Sequence, residues 1–83
     1  MKLLTKFFNL QGLDDLLIQE GKGKHGDNGW REKDLSVHYT KFHGHFDRWN
    51  SIGGHIDPDS GRPSIDHAII RLLMIRELTK GES

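Results

Sequence analysis

Cysteine is absent from all 83 residues. That excludes a disulfide framework and any thiolate metal site, so neither can staple a small fold. Net charge is absent as well, with twelve Lys and Arg against twelve Asp and Glu. A protein that coats nucleic acid carries a basic excess, so nucleic-acid binding through Lys22, Lys24, Lys41 and Arg48 is the least favoured reading. No apolar run approaches the roughly 18 residues that cross a bilayer, which argues against a membrane partner. The opening MKLLTKFFNL is too short, and too interrupted by Thr5 and Lys6, for a signal peptide. The expectation is a cytoplasmic protein.

Apolar residues are scarce, at 34% of the chain, but they are concentrated. In SIDHAIIRLLMIRELTKGES, the residues Ile65, Ala68, Ile69, Leu72, Leu73 and Leu78 recur at helical spacing, and Ile70, Met74 and Ile75 widen the stripe. Ser64 suits an N-cap, Asp66 suits the first turn and Gly81 a stop. A helix so apolar on most sides is buried against more than one neighbour. In so short a chain that points to a second copy, since a domain this size buries little surface alone.

DLSVHYTKFHGHFDRWN is the most regular segment, with Leu35, Tyr39, Phe42, Phe46 and Trp49 forming an apolar seam and Asp34 as its cap. His38 and His45 flank that seam on one side. Gly44 costs a helix about 1 kcal/mol against alanine and is read as a close approach of another backbone. Before it, a short helix covers Leu13 to Glu20, with Leu13, Leu16, Leu17 and Glu20 on one face. Residues 1–12 form an arm. No segment alternates as a strand would. The expected fold is a single all-α domain over 1–83: two main antiparallel helices plus a short N-terminal helix, completing a four-helix core by dimerisation.

Two glycine-rich joints, GKGKHGDNGW and GHIDPDSGRPSIDHA, separate these helices. With GHFDRW between them, they carry a resemblance. Their order resembles the MazG-like all-α nucleotide pyrophosphohydrolases, specifically the phage and bacterial dATP/dGTP diphosphohydrolase-like proteins, over roughly residues 13 to 80. The matching family pieces are a GxKYGxxNW-like turn, an RHxxAW helix and GxxxDPxSGxxHxxHA. This chain departs from them at His25 for tyrosine, Gly44 for arginine, Thr40 for an acid and Ser64 for the first histidine after SG. The resemblance implies Mg²⁺-dependent hydrolysis of a nucleoside triphosphate, or its binding. The departures keep open a second class, an inactive phage-type interaction protein that binds a host protein.

Magnesium needs converging carboxylate oxygens, and the chain has no ExxE pair. Asp14 and Asp15 diverge around their helix and suit its N-terminal dipole. Glu20, lying on an apolar stripe, is the better metal ligand, with Asp57 and Asp66 beside it as candidates. Asp57 is also ordinary turn chemistry in DPDSG. His45 and His67 can face each other across the two long helices and, with Asp57, are the catalytic candidates, as general base or phosphate contact. The tight signatures of a zinc or iron site are missing, so buried histidines satisfied by neighbours are the expected outcome. Lys22 and Lys24 can meet phosphate from the glycine-rich loop. Trp30 anchors that loop to the core or offers a stacking face.

Overall fold

The computed structural model describes residues 2–22, 26 and 28–81. Four α-helices follow one another: α1 (Lys2–Phe7), α2 (Leu13–Gly21), α3 (Leu35–Ser51) and α4 (Ser64–Thr79), with a 3₁₀ turn at Gly29–Glu32 before α3. Among the described residues there is no strand; Ile56 and Pro63 form an isolated antiparallel bridge. The all-α expectation holds. The two long helices, α3 and α4, run antiparallel and make the principal interface; α2 and the 3₁₀ turn pack against α4. Leu16, Trp30, Ile70 and Met74 form the buried core, with Leu13, Leu17 and Leu78 partly buried around it.

The 52–63 connector closes on itself. Asp57 accepts the backbone N–H of Asp59 at 2.9 Å and of Ser60 at 3.2 Å on Oδ1, and its own carbonyl accepts the N–H of Gly61 at 2.8 Å. Gly61 makes this possible with φ of +72°, a conformation a β-carbon disfavours. The Asp57 N–H donates to the Arg62 carbonyl at 2.8 Å, and the Ser64 N–H to the His55 carbonyl at 2.9 Å. The turn therefore delivers Ser60 beside the head of α4. Gly12, with φ of +85°, starts α2 where the Arg62 guanidinium packs directly against it.

Several local expectations are corrected. Tyr39 and Phe46 of the α3 seam are 44% and 41% exposed, while His38 and His45 are the buried residues of that helix. On α4, Ile69, Leu72 and Leu73 face outward and Ser64, His67 and Arg71 are buried. Both long helices are turned so that polar groups meet between them. A charge or imidazole buried alone is costly, and that cost falls when several are buried together as partners. Neither predicted cap bonds through its side chain: Asp34 makes no capping contact, and the N-cap of α4 is Pro63. Ser64 lies inside the helix and pairs its hydroxyl with His55 Nδ1 at 2.6 Å. Helix α4 ends at Thr79, before Gly81, where the Thr79 hydroxyl donates to the Ile75 carbonyl at 2.7 Å. Among the described residues no foreign backbone approaches Gly44; a β-carbon there would meet only its own helix's Arg48, at 3.9 Å.

Candidate functional site

Glu20 is the penultimate residue of α2, and its side chain is only 7% exposed. Two α3 residues seven apart, His38 and His45, share one face of that helix, and two α4 residues four apart, His67 and Arg71, share one face of the other. The helical repeats thus bring His45, His67 and Arg71 to the carboxylate and set His38 behind Arg71. His45 Nε2 lies 3.1 Å from Glu20 Oε1, and Arg71 Nε donates to the same oxygen at 3.1 Å. His67 Nδ1 bonds the other oxygen, Oε2. The His45 and His67 rings stack with centroids 4.6 Å apart and 25° between planes.

The network extends in two directions. His67 Nε2 pairs with the Ser60 hydroxyl at 2.6 Å, and that hydroxyl oxygen also accepts the Arg62 N–H at 3.1 Å. Arg71 Nη1 donates to His38 Nδ1 at 2.9 Å, so the His38 proton resides on Nε2, which donates to the Trp30 carbonyl at 2.8 Å. Among the described residues, His45 Nδ1 is a buried atom without a partner.

Burial pushes the Glu20 carboxyl upward, but hydrogen bonds from His45 and His67, then the charges of His67 and Arg71, outweigh it and hold the group at about 2. Glu20 is a fixed anion at neutral pH. His38 also lies below its ordinary range, for a different reason. Burial lowers it most; the bond to the Trp30 carbonyl raises it, and the charges of Arg71 and Lys33 lower it further. It is a neutral spacer between Arg71 and the 3₁₀ turn.

The candidates named from sequence divide. Glu20, His45 and His67 converge, their donor atoms all within 4.8 Å of one another. Asp57 lies outside that group, its Oδ1 taken by the turn it closes. Asp66 also lies outside it, one residue before His67 and therefore about 100° round the helix. Lys22 is exposed just beyond α2; Lys24 lies outside the described residues. Trp30 is 5% exposed, packed in the core with Arg31 over its ring at 4.5 Å, which is the anchoring position and leaves little ring face for a base. Sequence reasoning missed Arg71 and Ser60. A lone arginine four residues after His67 in an otherwise apolar helix was the available signal for the first.

Residues 16–83 match the family model described as dATP/dGTP diphosphohydrolase, N-terminal. The chain belongs to this family. No curated protein and no solved structure matches it. The match takes in α3, α4, the connector and most of α2, so Glu20, His38, His45, Ser60, His67 and Arg71 all lie in the dATP/dGTP diphosphohydrolase N-terminal region. It agrees with the MazG-like all-α resemblance.

The Mg²⁺ that this resemblance implies can be tested against the residues present. Magnesium takes oxygen ligands in near-octahedral geometry. Here one carboxylate meets two imidazoles and a guanidinium, and among the described residues no second carboxylate joins it. That donor set does not fit a protein-held Mg²⁺.

Proposed function

We propose that this dATP/dGTP diphosphohydrolase-type domain binds a (deoxy)nucleoside triphosphate and hydrolyses it between the α- and β-phosphates, at the Glu20–His45–His67 cluster. The observation that carries the reading is the meeting of one fixed carboxylate and two imidazoles, one side chain from each of α2, α3 and α4, inside the matched region. Hydrolysis requires water to lose a proton as its oxygen bonds the α-phosphorus and pyrophosphate departs. An imidazole hydrogen-bonded to a fixed carboxylate is oriented to take that proton. Glu20 supplies the carboxylate to both His45 and His67. Lys22, exposed two residues beyond Glu20, is the phosphate contact supported by its place in the chain.

One observation favours the second reading, a member of the family that binds a host protein without catalysis. Both Glu20 oxygens are already engaged, and two clefts among the described residues lie elsewhere. The larger, of about 800 Å³, is lined by α1, α2 and α4; the smaller adjoins Trp30. Neither includes Glu20, His45 or His67.

Homodimerisation is part of the proposal. Its support is the outward apolar face of α4, where Leu72 is 47% exposed, in a domain with a small core. No described helix is long and apolar enough to cross a membrane.

The test is pyrophosphate release from dATP, dGTP and the other common nucleoside triphosphates, with and without Mg²⁺, beside a thermal-shift screen of the same nucleotides. Release that disappears in His67→Gln supports hydrolysis here. Neither release nor a nucleotide-dependent shift would sink the reading, and a stoichiometric host partner would then favour the second.

A further inference from the structure

We propose that Glu20, His45 and His67 form a binding site for a first-row transition-metal dication, best matched by Zn²⁺. Two imidazole nitrogens and one carboxylate oxygen are the donor set of catalytic zinc and of related iron sites. Their donor atoms lie within 4.8 Å of one another, close enough for one ion. Tetrahedral bonds of about 2.0–2.2 Å place ligands about 3.4 Å apart. His67 Nδ1 and Glu20 Oε2 are hydrogen-bonded to each other, so they move apart as the ion takes the place of the proton between them.

The surroundings do what the outer partners of a metal site do. Ser60 Oγ lies 2.6 Å from His67 Nε2. Without metal, His67 donates its Nδ1 proton to Glu20, and the Ser60 hydroxyl donates to Nε2. With metal, the Nδ1 lone pair faces the ion, the proton sits on Nε2, and Ser60 Oγ accepts it. For His67 the same side chains satisfy both forms, with only the tautomer changed, while His45 carries its proton on Nδ1, an atom without a partner among the described residues. Arg71 donates to Glu20 Oε1 and leaves Oε2 for the ion. Its buried positive charge opposes a second cation and weakens the affinity. Three protein ligands leave a fourth position open to water or a substrate oxygen.

This site does not depend on nucleotide hydrolysis, and its test needs no nucleotide. Tag-free, chelator-treated chain is titrated with Co²⁺, followed by visible absorption, and with Zn²⁺ by calorimetry, Mg²⁺ serving as control. The expected result is one ion per chain, an intense Co²⁺ spectrum of low coordination number, displacement by Zn²⁺ and no competition from Mg²⁺. His45→Gln and His67→Gln each cut affinity about 100-fold and Ser60→Ala about 10-fold, since outer partners alone commonly contribute 10–100-fold. His43→Gln, which alters an exposed neighbour outside the cluster, leaves affinity unchanged. Glu20 is left intact so that Arg71 keeps its partner and the fold. Absence of stoichiometric binding, a weak octahedral Co²⁺ spectrum, or binding that survives loss of both His45 and His67 would each overturn the proposal. The parent chain's stoichiometry and spectrum decide it even if a histidine variant fails to fold.

Discussion

Replacing Glu20 with Gln removes the charge at the centre of the polar network while keeping the side chain's size. The carboxyl sits at about 2 in the fold against 4.5 as the ordinary value. At about 1.4 kcal/mol per pH unit, that gap corresponds to about 3 kcal/mol of stability at neutral pH. A second route gives a similar figure. Arg71 is 3% exposed, and stripping a buried charge of its partner costs about 3–5 kcal/mol. For a domain this small, about 3 kcal/mol lowers the melting temperature by about 12–24 °C. The pH dependence follows from the direction of the shift. As pH falls below 4.5 the unfolded chain takes up the proton while the folded chain resists it. The contribution is therefore complete above 4.5, declines below it and is gone once pH falls through about 2. Urea denaturation of both proteins from pH 7 downward is the assay, with circular dichroism for the melts. The stability gap between parent and Glu20→Gln should narrow below pH 4.5. A melting point within about 4 °C of the parent at pH 7, or a gap constant toward pH 2, would refute the reasoning. If Glu20→Gln does not fold, Glu20→Leu with Arg71→Met, which removes both charges, should recover much of the loss.

Three further outcomes are expected. Gly44→Ala should stabilise by about 0.5–1 kcal/mol, because the site is helical and its β-carbon meets only Arg48 at 3.9 Å; a lower melting temperature would contradict this. Burial holds His38 below its ordinary 6.5, so the unfolded chain gains that proton first and stability falls as pH drops below 6.5. His38→Leu should be less stable at pH 7 yet show a flatter profile below 6.5, read by denaturation. Leu72→Glu, on the outward face of α4, should leave the monomer's fold intact and abolish dimer in sedimentation; an unchanged sedimentation profile with dimer present would show that this face is not the interface.

Much of the site was legible because helical periodicity is a property of the chain. The spacing in SIDHAII put His67 at the head of a helix, and the stripe Leu13, Leu16, Leu17 placed Glu20 among apolar neighbours. That an acid on an apolar stripe needs a partner follows from desolvation alone. Legibility ended at helix rotation. Tyr39 and Phe46 are as apolar as a core face requires, yet they point outward. Hydropathy scores each side chain singly, whereas Glu20, His38, His45, His67 and Arg71 are buried as a set whose desolvation is offset only by one another.

The sequence by itself determined α2, α3 and α4, their approximate limits, the family and the turn chemistry of DPDSG, because these depend on residues near one another along the chain; the segment that forms α1 was legible only as part of an arm. Only the tertiary structure decided which face of each long helix is inside, and it withdrew Asp57 into its own turn while bringing Ser60 to His67 and Arg71 to Glu20. Glu20 and Arg71 are 51 positions apart. No local pattern encodes such a pairing; it exists because packing α2 and α3 against α4 leaves one dry space between them, and a charge enters it only with its partners.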